Sequence, residues 1–137
     1  MCGINGIIDL YKASLHVVTI NKMNNLLKHR GPDGEGVWND ENIAIGHTRL
    51  SILDLTKSGY QPMISNDSNY VISFNGEIYN FKELRQKLIN EGFTFNGNSD
   101  TEVIRHLYIE YSEKFLDYLE GMFAIAIFDS KTKKLIV

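Results

Sequence analysis

Cys2 is the one cysteine in this sequence of 137 residues, and loss of Met1 would make it the amino-terminal residue. A thiol and a free α-amine would then sit on the same residue. Their ordinary pKa values are about 8.5 and 7.7–8.0, so nucleophile and base are matched near neutral pH. This is the chemistry of an amino-terminal nucleophile, in which the residue's own nitrogen serves as base. A cysteine at position 2 carries that meaning only in company, because cysteine signatures do not transfer without their partners.

Four further features have residue types suited to such company. Arg49 lies within Gly46-His47-Thr48-Arg49-Leu50-Ser51-Ile52, a guanidinium in an otherwise apolar stretch. A buried guanidinium needs a carboxylate, either the protein's own or a ligand's. Asn75-Gly76 follows an apolar run. The pair is a strong hairpin signal, yet Glu77-Ile78-Tyr79-Asn80 leads towards a helix and supplies no return strand. The other use is an oxyanion hole, with the Asn75 amide and the Gly76 N–H as donors and glycine allowing close approach. Glu77 and Asp100 are carboxylates with no basic neighbour in sequence; the first is ordinarily solvated, the second ordinarily a helix-start charge. Together, Arg49, Glu77 and Asp100 supply one cation and two anions, the complement of a zwitterionic amino acid. The segment His29-Arg30-Gly31-Pro32-Asp33 reads as a turn without chemistry of its own.

Elements must position these groups, and the sequence marks most of them. Residues 3–10 read as a short buried strand directly behind Cys2. Val17, Ile20, Met23, Leu26 and Leu27 recur at helical spacing, giving a helix over 16–28 that ends in the Gly-Pro turn. Residues 36–38 and 43–52 form strands around the polar break Asn39-Asp40-Glu41-Asn42. Residues 54–62 lack periodicity and read as a loop. A strand over 70–74 ends at Asn75-Gly76. A helix follows through Phe81, Leu84, Leu88 and Ile89, with Asn80 as its N-cap and Gly92 as its stop. Phe93 and Phe95 alternate with polar residues as a short strand. Ser99-Asp100-Thr101-Glu102 is a capping box that opens a helix through Val103, Ile104, Leu107 and Tyr111. A shorter helical piece covers 115–119. Residues 122–129 form an apolar strand buried on both faces, and 130–134 turn the chain into a return strand from 135. The pattern is α+β, antiparallel strands with helices grouped mid-chain, in one domain.

Composition narrows the function classes. With 43% hydrophobic and 23% charged residues, the sequence is that of a globular domain. A formal charge of −3 with scattered Lys and Arg argues against nucleic acid. No apolar run reaches the ~20 residues that span a bilayer, and no signal peptide is seen, so a cytoplasmic, non-membrane protein is expected. A single cysteine fits a reducing compartment. The four histidines fall singly, so no metal site is expected.

Taken in order, Met1-Cys2-Gly3-Ile4, Arg30-Gly31-Pro32-Asp33, Thr48-Arg49-Leu50-Ser51-Ile52, Asn75-Gly76-Glu77-Ile78-Tyr79-Asn80, Ser99-Asp100-Thr101-Glu102 and Leu119-Glu120-Gly121-Met122-Phe123-Ala124 resemble the class II glutamine amidotransferases. More narrowly, they resemble the glutaminase domain of glutamine-hydrolysing asparagine synthetase, with Gly59-Tyr60-Gln61-Pro62 favouring that branch. The resemblance covers essentially the whole chain. It implies an αββα four-layer sandwich of the N-terminal-nucleophile (Ntn) hydrolase type, with L-glutamine as substrate. It implies Cys2 as nucleophile, with Asn75 and the Gly76 N–H as oxyanion donors. Arg49 would bind the substrate α-carboxylate, and Asp100 with Glu77 the α-ammonium. Backbone groups of Arg49, Leu50, Ser51, Ile52 and Leu53 would line the same pocket.

Against the family pattern, the last strands of the glutaminase domain and the whole synthetase domain are expected beyond Val137. No cofactor is expected in this chain; ATP and Mg belong to the synthetase domain. The expected partner is that domain or a separate synthetase chain, with a homo-oligomer left open. The alternative reading is a truncated or split module that binds glutamine, or docks on a synthetase, without turnover. Met1 is expected to be removed, since cysteine at position 2 is small.

Overall fold

The computed structural model describes residues 1–9, 11 and 16–137. Two antiparallel sheets are stacked face to face. In the first, β1 (Gly3–Ile8) and β2 (Gly34–Asn39) flank β3 (Ile43–Arg49), in the order β1-β3-β2. In the second, β4 (Met63–Ile64), β5 (Tyr70–Ile78), β6 (Gly121–Asp129) and β7 (Lys134–Ile136) lie in sequence order. Helix α1 (Val17–Leu27) covers the first sheet; α2 (Phe81–Asn90) and α3 (Asp100–Tyr111) cover the second. The layers are therefore helix, sheet, sheet, helices, the α+β sandwich expected.

The period-2 alternation of each strand decides what faces what. On β3, Ile43, Ile45 and His47 point between the sheets, where Ile43 and Ile45 meet Val71 and Phe128. His47 Nδ1 lies 2.9 Å from Ser73 Oγ of β5 across the gap. Gly46 and Thr48 face α1, where a Cβ on Gly46 would stand 2.6 Å from Asn24 and Ile20. On β5, Ile72, Phe74 and Ile78 point to the helices and join Leu88, Val103, Ile104, Leu107 and Phe115. Ile72, Leu88, Ile104 and Leu107 are fully buried, each contributing about 1.5–3 kcal/mol relative to exposure. By the same alternation Arg49, Asn75 and Glu77 point inward, at one end of the gap.

Several expectations are corrected. Strand β5 does not end at Asn75-Gly76; it runs on to Ile78, because β6 pairs with it without a break from Tyr70↔Asp129 to Ile78↔Gly121. Asn75-Gly76 is thus no turn. Strand β3 stops at Arg49, three residues short of the expected end, and β1 stops at Ile8; Leu10 lies outside the described residues. Strand β1 is half-buried, since among the described residues it pairs with β3 alone. Phe93 and Phe95 form no strand; their rings pack against His106, at 5.0 and 4.8 Å. The Glu102 carboxylate takes the backbone N–H groups of Asn96 and Gly97 that a ladder would need. The capping box is therefore half made. Ser99 Oγ accepts from Glu102 N at 3.3 Å, while the Glu102 side chain serves the incoming loop. Asn80 precedes α2, but its amide bonds Tyr118 O and Glu120 N in place of the helix start. Gly92 ends α2 at φ +98°, a conformation glycine adopts freely. Strand β6 is buried only from Ile125 onward; Gly121 to Ala124 are exposed. Residues 54–62 contain a short 3-10 turn, Lys57–Gly59, and β4 follows them unannounced by any periodicity.

Candidate active site

Where the inward faces of β3 and β5 run out, a cavity of about 110 Å³ opens at one end of the sandwich. Cys2 enters it from the residue before β1. Its carbonyl accepts a hydrogen bond from Arg30 Nε at 3.0 Å. Leu50 N–H points at Sγ from 3.3 Å, and Sγ lies 3.7 Å from Leu50 O. The turn from Arg30 to Asp33 thus has a positioning role. Besides holding Cys2, it bonds Asp33 N to Arg49 O at 2.9 Å and accepts Ser51 N on Asp33 Oδ2 at 2.8 Å. Met1 also lines the cavity and is exposed.

Arg49, the last residue of β3, is buried, at 6% exposure. Of the two partners the sequence allowed, no protein carboxylate among the described residues forms an ion pair with it. Its guanidinium donates to Thr56 O at 3.0 Å and to Asp54 O, and lies 5.1 Å from the centre of the Tyr60 ring. Backbone carbonyls and an aromatic face hold the group in place without neutralising it, which leaves its charge for an anionic ligand.

Asp54 ties this anchor to the far side of the cavity. Its carboxylate accepts from Thr56 N–H and Oγ1 at 2.8 and 2.6 Å, from Ser58 Oγ at 3.1 Å and from Asn98 N–H at 2.8 Å. Burial raises its pKa, but these hydrogen bonds outweigh that and hold it at about 2.

The opposite wall is the open edge of β5 and the start of α3. Beyond Ile72, which β4 covers, the N–H groups of Phe74, Gly76 and Ile78 project from the edge away from β6 by strand alternation. Phe74 N–H is taken by Gln61 Oε1 at 2.6 Å, and Ile78 N–H by Asp100 Oδ2 at 3.5 Å. The Gly76 N–H lies between them with β4 already ended. A Cβ on Gly76 would fall 2.2 Å from Met122 O, so glycine is needed there for the close approach of β6. The Asn75 side chain lines the cavity and its Oδ1 is buried with no partner among the described residues. Asp100 is buried, and its carboxyl is pushed up to about 6, by burial first and by the charge of Glu77 beside it, against the Ile78 hydrogen bond.

Of the residues singled out in the sequence, Cys2, Arg49, Leu50, Ile52, Leu53, Asn75, Gly76, Glu77 and Asp100 line this one cavity. Ser51 does not; its backbone is turned outward to Asp33. Asp54, Gln61 and Thr101 also line it and were not foreseen. Asp54-Leu55-Thr56-Lys57-Ser58 carries the spacing of side-chain-to-backbone turns, a signal that was available in the loop. Among the described residues no helix is long and apolar enough to cross a membrane.

A family model described as a glutamine amidotransferase domain matches residues 1–137. Asparagine synthetase [glutamine-hydrolyzing] 3 of Bacillus subtilis (strain 168) is 41% identical over 134 residues, which cover 96% of this chain and 22% of that protein. The Zea mays asparagine synthetase [glutamine-hydrolyzing] is 42% identical over 137 residues, 99% of this chain and 23% of its own length. Asparagine synthetase B of Escherichia coli (strain K12) is 39% identical over 132 residues, 96% of this chain and 24% of its own. The chain thus spans about a quarter or less of these relatives. Among solved structures, the glutamine phosphoribosylpyrophosphate amidotransferase of B. subtilis superposes with a TM-score of 0.75 at 25% identity, over 95% of this chain and 35% of that one. With the family model matched from the first residue to the last, the chain belongs to the glutamine amidotransferase domain family.

Proposed function

We propose that this domain hydrolyses L-glutamine to glutamate and ammonia through a thioester on Cys2. In this reading, removal of Met1 frees the α-amine and clears the cavity that Met1 now lines. The amine takes the thiol proton, and the thiolate attacks the side-chain amide carbon of glutamine. The oxyanion that forms is held by the Asn75 amide and the Gly76 N–H, and the proton passes to the departing ammonia. Water then cleaves the γ-glutamyl thioester to release glutamate. Arg49 pairs with the substrate α-carboxylate; Asp100, with Glu77, pairs with the α-ammonium. The ammonia is consumed in ATP- and Mg-dependent amidation of aspartate, in a synthetase domain or partner chain like that of the asparagine synthetases.

The observation that carries this reading is the convergence on one cavity of the single thiol, an un-ion-paired buried guanidinium and two adjacent carboxylates. Glutamate release from L-glutamine, wild type against Cys2→Ala, tests it. Activity is expected to vanish in the variant; an equally active Cys2→Ala protein refutes the thioester. Intact mass of active protein is expected to lack Met1, and full retention in active protein would sink the amine's role as base.

A further inference from the structure

The segment Gly59-Tyr60-Gln61 has no part in the reaction just proposed, yet it touches Arg49 and the chain neighbours of Asn75 and Asp100. Gly59 lies under the Arg49 guanidinium, where a Cβ would come 2.3 Å from Nη2, and Tyr60 covers the same group. Gln61 reaches further. It is 9% exposed, and its side chain lies between the open edge of β5 and the first turn of α3. Oε1 accepts from Phe74 N–H at 2.6 Å, and Nε2 donates to Thr101 Oγ1 at 3.2 Å. A backbone N–H can only donate, so the oxygen of the amide must face Phe74 and the NH₂ must face Thr101. Phe74 precedes Asn75, and Thr101 follows Asp100. One amide thereby spans the wall that carries both the oxyanion donors and the ammonium site.

Ile78 N–H also crosses to α3, on Asp100 Oδ2, but at 3.5 Å that contact is the longer one. Strand β4 ends at Ile64, paired with Val71, and Met63 pairs with Ile72. Without Gln61, Phe74 N–H would be a buried donor with no acceptor, competing with Gly76 N–H for any anion in the cavity. Gln61 takes up that donor and leaves Gly76 N–H as the next donor along the open edge.

We propose that Gln61 is a positioning residue: its two hydrogen bonds set the oxyanion edge of β5 at a fixed distance from the Asp100 end of α3. This rests on the glutaminase reading above. The two ends of the amide have separate consequences. The Thr101 bond fixes Asp100 and governs substrate binding; the Phe74 bond fixes Asn75-Gly76 and governs the chemical step.

The test is steady-state glutamate release by the full chain, with kcat normalised to alkylatable Cys2, for Thr101→Val, Thr101→Ala and Gln61→Leu. Thr101→Val and Thr101→Ala each cut only the α3 end. They are expected to raise KM for L-glutamine roughly 5–10-fold at near-constant kcat, the scale of one lost buried hydrogen bond. Gln61→Leu cuts both ends and is expected to lower kcat by a further ~10-fold, as small misplacements of catalytic groups do. A purely structural role would lower the folded fraction, which the normalisation removes, and would leave KM alone. If Gln61→Leu does not fold, the KM rise in the other two carries the test. Folded variants with KM and kcat within twofold of wild type overturn the proposal, as does a Thr101→Val protein with the full kcat loss of Gln61→Leu. An active wild type with indifferent variants refutes this inference alone. A wild type that releases no glutamate refutes the glutaminase reading and this inference with it.

Discussion

Asp100 lies buried beside Glu77 with its carboxyl pushed up from 3.8 to about 6. Between those values the folded protein holds a proton that the unfolded chain releases, so this group lowers stability as pH rises through about 4 to 6. Above about 6 the charge is present and its burial cost is fully felt. Asp100→Asn removes that cost and is expected to stabilise the protein at pH 7 by up to about 3 kcal/mol, read from urea unfolding. The same change should raise KM for glutamine, since the ammonium loses its counter-ion. In wild type, kcat/KM should fall below pH 6 as Asp100 protonates; in the variant that acid limb should be absent. Asn75→Ala tests the other function of the wall. It should lower kcat by roughly 10²–10³ with little change in KM, and a large KM rise at unchanged kcat would rule out an oxyanion role.

The strand pair β5–β6 is the element on which the site depends, and two glycines let it close. A Cβ on Gly76 would stand 2.2 Å from Met122 O, and one on Gly121 would stand 2.1 Å from Glu77 O. Neither contact is with a flexible side-chain end, so the strands themselves must separate. Gly76→Ala and Gly121→Ala are each expected to lose about 1–3 kcal/mol in thermal or urea unfolding. Both should also lower kcat, because the shift moves Asn75 and Glu77. Gly92→Ala is the contrast: nothing lies within 4 Å of its Cβ, but φ is +98°. Its cost should be backbone strain of about 1–2 kcal/mol with kinetics unchanged.

For the molecule as a whole, two buried histidines oppose Asp100 in setting acid stability. His47 is pushed down to about 4 by burial and then by the Arg49 charge; His106 is pushed down to about 4 by burial and then by Arg105. Both are neutral in the folded protein and bind protons more readily once unfolded. Their stabilising contribution is complete above about 6.5 and is lost as pH falls towards 4. Two groups outweigh one, so the urea midpoint of wild type should decline from pH 6.5 to 4. The decline should be steeper in Asp100→Asn, which lacks the compensating group. A midpoint that rises on acidification across that window would show that the histidines are not held neutral. Below pH 4 the hydrogen-bonded carboxylate of Asp54, held at about 2, becomes the next group to fail.

Local chemistry was legible in the chain wherever it depends on residue type or period. The helical spacing of Val17, Ile20, Met23 and Leu27 and the stop at Gly92 follow from backbone geometry that neighbours share. The cation and carboxylates of the cavity could be picked out as a complement to an amino acid, because charges in apolar stretches demand partners. What the chain could not tell was which partner. Whether Arg49 met an internal carboxylate depended on how residues 54–60 folded back over it, a contact with no periodic signal. Asn75-Gly76 looked like the end of its strand because turn chemistry is local, whereas its continuation as strand is imposed by β6, more than forty residues away in sequence. The role of Gln61 was invisible for the same reason, as was the reach of Asp54 to Asn98. Gln61 bonds Phe74 N–H and Asp54 bonds Asn98 N–H, and such long-range satisfaction of buried polar groups exists only once the elements are packed together.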